Sequence, residues 1–161
     1  MSIIENLTGQ IALVTGASRG IGAAIAQELG KQGATVIGTA TSKSGAESIS
    51  ETLKIAGIKG LGLALDVNDA SQIEAVLKRI ATDFSDVSIL VNNAGITKDT
   101  LLMRMSEADW DAVISTNLKS VFRMSQAVLR PMMKARVGRI INISSVVGYM
   151  GNAGQTNYAA A

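Results

Sequence analysis

From Ile11 to Leu29 the chain reads I-A-L-V-T-G-A-S-R-G-I-G-A-A-I-A-Q-E-L: an apolar run, a turn with three glycines, then a helical pattern. A strand, a tight turn and a helix start suit such a run. Glycines let backbone approach an anion that side chains would hold away. The first helical turn presents unpaired N–H groups at the positive end of the helix dipole. That arrangement suits a nucleotide pyrophosphate. The glycines fall at Gly16, Gly20 and Gly22, spaced G-x-x-x-G-x-G rather than G-x-G-x-x-G. The competing reading is a tight strand-to-helix turn with no ligand.

The rest of the chain repeats the alternation. Short apolar runs at 11–15, 35–39, 62–65, 89–91 and 139–143, bounded by Gly, Asn or Asp, predict parallel strands buried on both faces. Helical patterns fall between them at 22–32, 44–56 and 70–84, with a long one ending near Lys134. Ser44 with Glu47, and Ser71 with Glu74, read as capping boxes for the second and third helices. Pro131, the one proline, should bend the last helix or mark its final turns. Strand–helix alternation predicts right-handed crossovers and an open, doubly wound α/β sheet.

The 161 residues suit one domain, and 47% apolar with 17% charged residues argues against disorder. A net charge of +2 and 3% aromatics give neither a basic stripe nor stacking platforms for nucleic acid. There is no cysteine and no histidine, which excludes disulfides, thiolate nucleophiles, a Ser–His pair and the commonest metal ligands. Proton transfer must fall to Tyr, Lys, Asp or Glu. The first six residues, Met1-Ser2-Ile3-Ile4-Glu5-Asn6, carry no basic or long apolar leader pattern, so the expectation is a cytoplasmic protein.

In such sheets ligands bind at the carboxyl ends of the strands. After the second run, Gly38-Thr39-Ala40-Thr41-Ser42-Lys43 lacks the acid that would bind the ribose diol of NAD. Arg19 and Thr41 suit a 2′-phosphate instead, which favours NADP(H); otherwise Arg19 and Lys43 are solvated surface charges. Asp66-Val67 after the third run would serve adenine, through the carboxylate and an amide, or cap the next turn. Asn92-Asn93-Ala94-Gly95 would let the backbone lie close to a ribose, or form a plain turn. Ser144-Ser145 follows the fifth run, and Tyr158 lies thirteen positions past Ser145.

In this order and spacing, T-G-A-S-R-G-I-G at 15–22, N-N-A-G at 92–95, Asn117, Ser145 and Tyr158 resemble the short-chain dehydrogenase/reductase family over essentially the whole chain. The stretches 36–42, 95–105 and 145–161 look like its bacterial members that reduce 3-oxoacyl groups carried on acyl carrier protein, in fatty-acid elongation. The resemblance implies a Rossmann-type sheet in three αβα layers, with residues 1–161 one NADP-binding domain. It implies that Tyr158 protonates the reduced carbonyl oxygen, that Ser145 hydrogen-bonds and orients the substrate, and that Asn117 holds a water. Gly16, Ser18, Arg19, Gly20, Ile21, Thr41, Asp66, Val67 and Asn93 would line the cofactor site. No metal is implied.

One departure is plain. The family's lysine falls four residues after its tyrosine, and this sequence ends at Ala161. That lysine bonds the nicotinamide ribose and its charge favours the tyrosinate. The expectation is that the C-terminal part of the fold belongs to a longer enzyme; a chain ending here would be crippled, with its last strand an unprotected edge. Arg130, Lys134, Arg136 and Arg139 form either a solvated helix end or a docking patch for acyl carrier protein centred on Arg136. The family's long helix pairs with its copy in a homotetramer, so Val113, Val121, Phe122 and Met124 belong to core or interface. The alternatives are another short-chain reductase, such as one for acetoacetyl-CoA, sugars or steroids, and a non-catalytic NADP-binding module.

Overall fold

The computed structural model describes residues 7–161, so the expectation for the first six lies outside them. Five parallel strands, β1 (Ile11–Val14), β2 (Thr35–Ala40), β3 (Gly60–Ala64), β4 (Ile89–Asn92) and β5 (Arg139–Asn142), stand in the order β3-β2-β1-β4-β5. Between them run α1 (Gly20–Lys31), α2 (Lys43–Ile55) and α3 (Ala70–Asp83). The β4–β5 connection holds a 3-10 turn (Leu102–Arg104), α4 (Glu107–Val113), a π-helical stretch (Ile114–Lys119) and α5 (Ser120–Ala135). The short helices α6 (Val147–Met150) and α7 (Thr156–Ala160) follow β5.

Register explains the layers. Leu13 lies between Ile37 and Leu90, while Ala12 lies between Val36 and Ile89. Successive strand residues point to opposite faces. Leu13, Ile37 and Leu90 therefore pack with Ile73, Val76 and Ile80 of α3 and Met124, Val128 and Met132 of α5. Ala12, Val14, Val36, Ile89 and Val91 pack with Ala26 of α1 and Ile49 and Leu53 of α2. The result is the expected doubly wound, three-layer αβα sheet of Rossmann type. Strand order reverses between β1 and β4, which makes their carboxyl ends the ligand crevice.

Four local expectations are corrected. Ser42, not Ser44, caps α2: its Oγ accepts the Gly45 N–H at 3.0 Å, because the helix starts as soon as the chain leaves β2. Asp69, not Ser71, caps α3: its carboxylate accepts the Ser71 and Gln72 N–H groups at 2.9 and 3.1 Å. α1 begins at Gly20, two residues earlier than its pattern suggested, with the chain turned by a left-handed φ of 60°. β5, which among the described residues pairs with β4 alone, is exposed along its length rather than buried. Pro131 lies inside α5, which ends four residues later.

On the long helical segment, Val113 and Met124 are core and Val121 is half-buried, whereas Phe122 is 60% exposed. Among the described residues no helix is long and apolar enough to cross a membrane.

Candidate functional site

The crevice between β1 and β4 is closed at its base by side chains, not by sheet hydrogen bonds alone. Thr15, the residue after β1, is 1% exposed. Its hydroxyl accepts the N–H groups of Asn93 and Ala94, each at 3.0 Å. The Asn93 amide donates in return to the carbonyls of Thr15 and Gly16 at 3.0 and 3.1 Å. The N-N-A-G turn and the glycine turn are thus one rigid unit.

The three glycines separate into two roles. A Cβ on Gly22 would lie 2.3 Å from the Gly16 carbonyl oxygen and 2.4 Å from the Asn93 amide nitrogen. Gly16 is similarly tight against Ala94 at 3.0 Å. Those two glycines allow the turns to pack. Only Gly20, at φ +60° with nothing within 4 Å of such a Cβ, faces open space as an anion cradle requires. The start of α1 also lacks a side-chain cap, whereas Ser42, Asp69 and Ser106 cap α2, α3 and α4. Its first-turn N–H groups are available to an anion.

Ser18, Arg19, Gly20, Ile21 and Thr41 are all exposed. The glycine turn is tied to β2 by the Ala17 N–H, which donates to the Thr39 carbonyl at 2.8 Å. A Cβ on Gly45 would lie 3.9 Å from the Ser18 Cβ, so the turn adjoins the start of α2. Arg19 and Thr41 therefore occupy neighbouring loops.

Asp66 takes its turn role: Oδ1 accepts the Asn68 N–H at 2.9 Å while the residue stays exposed. Val67 buries its side chain in the core. Asn68, which the sequence did not single out, ties this turn to the π-helical stretch. It donates to the Thr116 hydroxyl at 3.0 Å and accepts from the Ser115 hydroxyl at 2.7 Å, and its carbonyl accepts from Arg123 at 3.2 Å. A π-helical stretch inserts an extra residue per turn and often marks a functional site. Here it carries Asn117, whose side chain brackets Ile96, accepting its N–H at 2.8 Å and donating to its carbonyl at 2.9 Å.

Ser145 is half-buried just before α6, and its Oγ accepts the Val147 N–H at 3.2 Å, which leaves the hydroxyl proton to donate elsewhere. The end of β5 is held by Asn142, whose side-chain carbonyl accepts from Asn92 at 2.9 Å. Tyr158, half-buried on α7, belongs to a helix packed on α6, α4 and the π-helical stretch. The structure thus brings the segments of Ser145, Tyr158 and Asn117 together at the end of the sheet. Sequence reasoning missed Thr15, Asn68, Asn142 and Asn157 as supports. A polar residue set at a strand end or beside a site residue was the available signal.

Arg136, by contrast, stands apart at the end of α5, exposed and at φ 54°. Among the described residues the one ion pair is Arg79 with Asp83, so Arg130, Lys134, Arg136 and Arg139 have no carboxylate partner. A groove of about 550 Å³ lies between α3 and α5, lined among others by Glu74, Lys78, Asp86 and Arg123. It contains none of the expected site residues. We place the site at the strand ends, where the uncapped helix and the paired turns converge.

A doubly wound sheet with this glycine turn defines a dinucleotide-binding class, and comparison narrows it. The family model described as short chain dehydrogenase matches residues 10–161, and the chain belongs to that family. Over 156 residues, 97% of this chain and 63% of the relative, it is 65% identical to the 3-oxoacyl-[acyl-carrier-protein] reductase FabG of Vibrio harveyi. The proteins of the same name from Pseudomonas aeruginosa and Escherichia coli K12 are 63% and 62% identical over the same shares. The chain spans 63% of the length of these relatives.

Proposed function

We propose that the protein carrying this chain is an NADPH-dependent reductase of 3-oxoacyl thioesters on acyl carrier protein, working in the cytoplasm in fatty-acid synthesis. Residues 1–161 form its NADP-binding domain. The observation that carries the cofactor assignment is the uncapped start of α1 beside the open Gly20. Gly16, Ser18, Gly20, Ile21 and Asn93 would line the pyrophosphate and ribose side, and Arg19 with Thr41 the 2′-phosphate. Asp66 and the Val67 amide would take the adenine. The absence of any carboxylate at 38–43 supports the phosphorylated cofactor, since an acid would repel it.

When bound, the nicotinamide supplies the hydride that reduces a carbonyl carbon. The Ser145 hydroxyl donates a hydrogen bond to the carbonyl oxygen and stabilises the charge that gathers there. The Tyr158 phenol gives its proton to that oxygen. Asn117 would hold a water: an amide can make four hydrogen bonds, and Ile96 uses two. The substrate assignment is supported by the identity to relatives named for that reaction. The unpaired cations around Arg136 would steer an acidic carrier to the site. The exposed Phe122 supports pairing of α5 with its copy, as a homotetramer requires.

Loss of NADPH absorbance with an acetoacetyl group on acyl carrier protein tests the reading in the full-length protein. Turnover with NADPH and little with NADH is expected. Saturable NADPH binding without consumption of the thioester would overturn it.

A further inference from the structure

We propose that Asn157 is a positioning residue for Tyr158, its buried amide fixing the rotation of α7 by tying that helix to the loop after β4 and to α4. The inference rests on Tyr158 being the proton donor.

Asn157 is 0% exposed, the most buried polar side chain of the described residues. A buried amide is costly unless its hydrogen bonds are made. Its Nδ2 donates to the Lys98 carbonyl at 3.0 Å and to the Asp109 carbonyl at 3.3 Å, and its Oδ1 accepts the Tyr158 N–H at 2.8 Å. One side chain thus joins three segments at the residue next to the phenol.

α7 has five residues, too few to be stable by themselves, so tertiary contacts must hold it. Consecutive helical residues point about 100° apart. Fixing Asn157 inward therefore fixes the direction in which Tyr158 leaves the helix. The neighbouring bonds act the same way: the Thr100 N–H donates to the Gly154 carbonyl at 2.8 Å, and Gln155 donates to the Asp99 carboxylate at 3.2 Å. Those contacts hold the turn before α7; among the described residues of the helix itself, Asn157 is the one whose side chain hydrogen-bonds to other segments. Segment 98–100 and the phenol consequently move as one body. A small displacement of a reacting group lowers kcat without changing how the cofactor binds.

The test uses the full-length protein with NADPH and a small acetoacetyl thioester. Asn157→Leu keeps the branched outline and the number of heavy atoms and removes every side-chain hydrogen bond. Expected is a fall in kcat of about 10²-fold, with the NADPH Kd and the thioester KM changed less than about threefold, and cooperative unfolding retained. A folded variant with unchanged kcat overturns the proposal. So does a loss of NADPH affinity in step with kcat, the mark of general damage. If Asn157→Leu does not fold, Asn157→Ser, which keeps an acceptor for the Tyr158 N–H but loses both straps, decides by the same readings. If neither folds, the amide is structural and the positioning role fails. Tyr158→Phe runs beside them: turnover surviving there refutes the proton-donor reading itself, whatever Asn157 does.

Discussion

Thr15 and Asn93 hold each other in both directions, the hydroxyl taking the Asn93 N–H at 3.0 Å while the Asn93 side chain returns to the Thr15 carbonyl at 3.0 Å. They sit at the ends of the two strands between which the sheet order reverses. Rigidity is thereby placed where a dinucleotide would cross the sheet. The first prediction concerns the hydroxyl. Thr15→Val keeps the shape but leaves the Asn93 and Ala94 N–H groups without their acceptor. Urea unfolding should show a loss of roughly 2–3 kcal/mol, and Thr15→Ser should recover most of it.

The two glycine roles predict opposite balances of damage. In Gly22→Ala the new methyl meets backbone at 2.3 Å, so the fold suffers first. A drop in stability of about 2 kcal/mol or more is expected. In Gly20→Ala the methyl meets nothing, and the cost to folding is about 1–2 kcal/mol of left-handed strain. In the proposed function that same methyl would face the bound pyrophosphate, so NADPH affinity should fall about tenfold beyond any change in stability. Melting temperatures and NADPH titrations on both variants check the pair. Equal affinity losses scaled to stability would contradict the division.

The sheet was legible in the sequence because buried parallel strands leave continuous apolar runs, and runs such as 11–15 and 89–91 need no partner to be recognised. An unprotected edge at the last strand was expected, but the exposure of β5 along its length was not, since Ile140 and Ile141 look the same whether a neighbour covers them or not. Helix caps were placed two residues too late where two candidates stood close, Ser44 for Ser42 and Ser71 for Asp69. Thr15 and Asn93 lie just past the ends of β1 and β4, where a ligand site is looked for. Asn117 and Tyr158, by contrast, lie on helical segments and were singled out through the family resemblance. Asn68, Asn142 and Asn157 act on partners 48, 50 and 59 residues away, and a single sequence shows the polar residue but not the partner it will meet.

In the proposed function, Arg19 would decide cofactor choice. It is exposed and has no carboxylate partner among the described residues, so its guanidinium can give a charge-assisted fork to a 2′-phosphate. Arg19→Ala should raise the NADPH Kd about 10–100-fold, the equivalent of roughly 1.5–3 kcal/mol. NADH lacks that phosphate, and its Kd should stay within about twofold. Parallel losses for both cofactors would remove Arg19 from the discrimination.

Acid should loosen α3 through Asp69. Its carboxyl is held below the ordinary value, chiefly by the Ser71 hydroxyl and then by the Gln72 N–H, against a smaller opposing effect of desolvation. Because the folded state binds the proton less readily than the unfolded one, the contribution is full above the unfolded value of about 3.9. It disappears as pH falls through the lower folded value. Asp69→Asn keeps an acceptor and removes this titration. Urea midpoints of the variant should therefore fall less than those of the parent between about pH 5 and pH 3. Identical slopes would rule Asp69 out as a source of acid sensitivity.

Arg136 offers a substitution whose structural and functional effects carry opposite signs. It ends α5 at φ 54°, a conformation in which glycine is favoured over a side chain by about 1 kcal/mol. Arg136→Gly should therefore raise the unfolding free energy by roughly 0.5–1 kcal/mol. If the cation receives acyl carrier protein, the same change should raise the KM for the carrier-bound thioester and leave a small thioester analogue unaffected. A more stable enzyme that handles its carrier less well cannot be explained by damage to the fold. A rise in stability with both KM values unchanged would show that the cation only decorates a helix end.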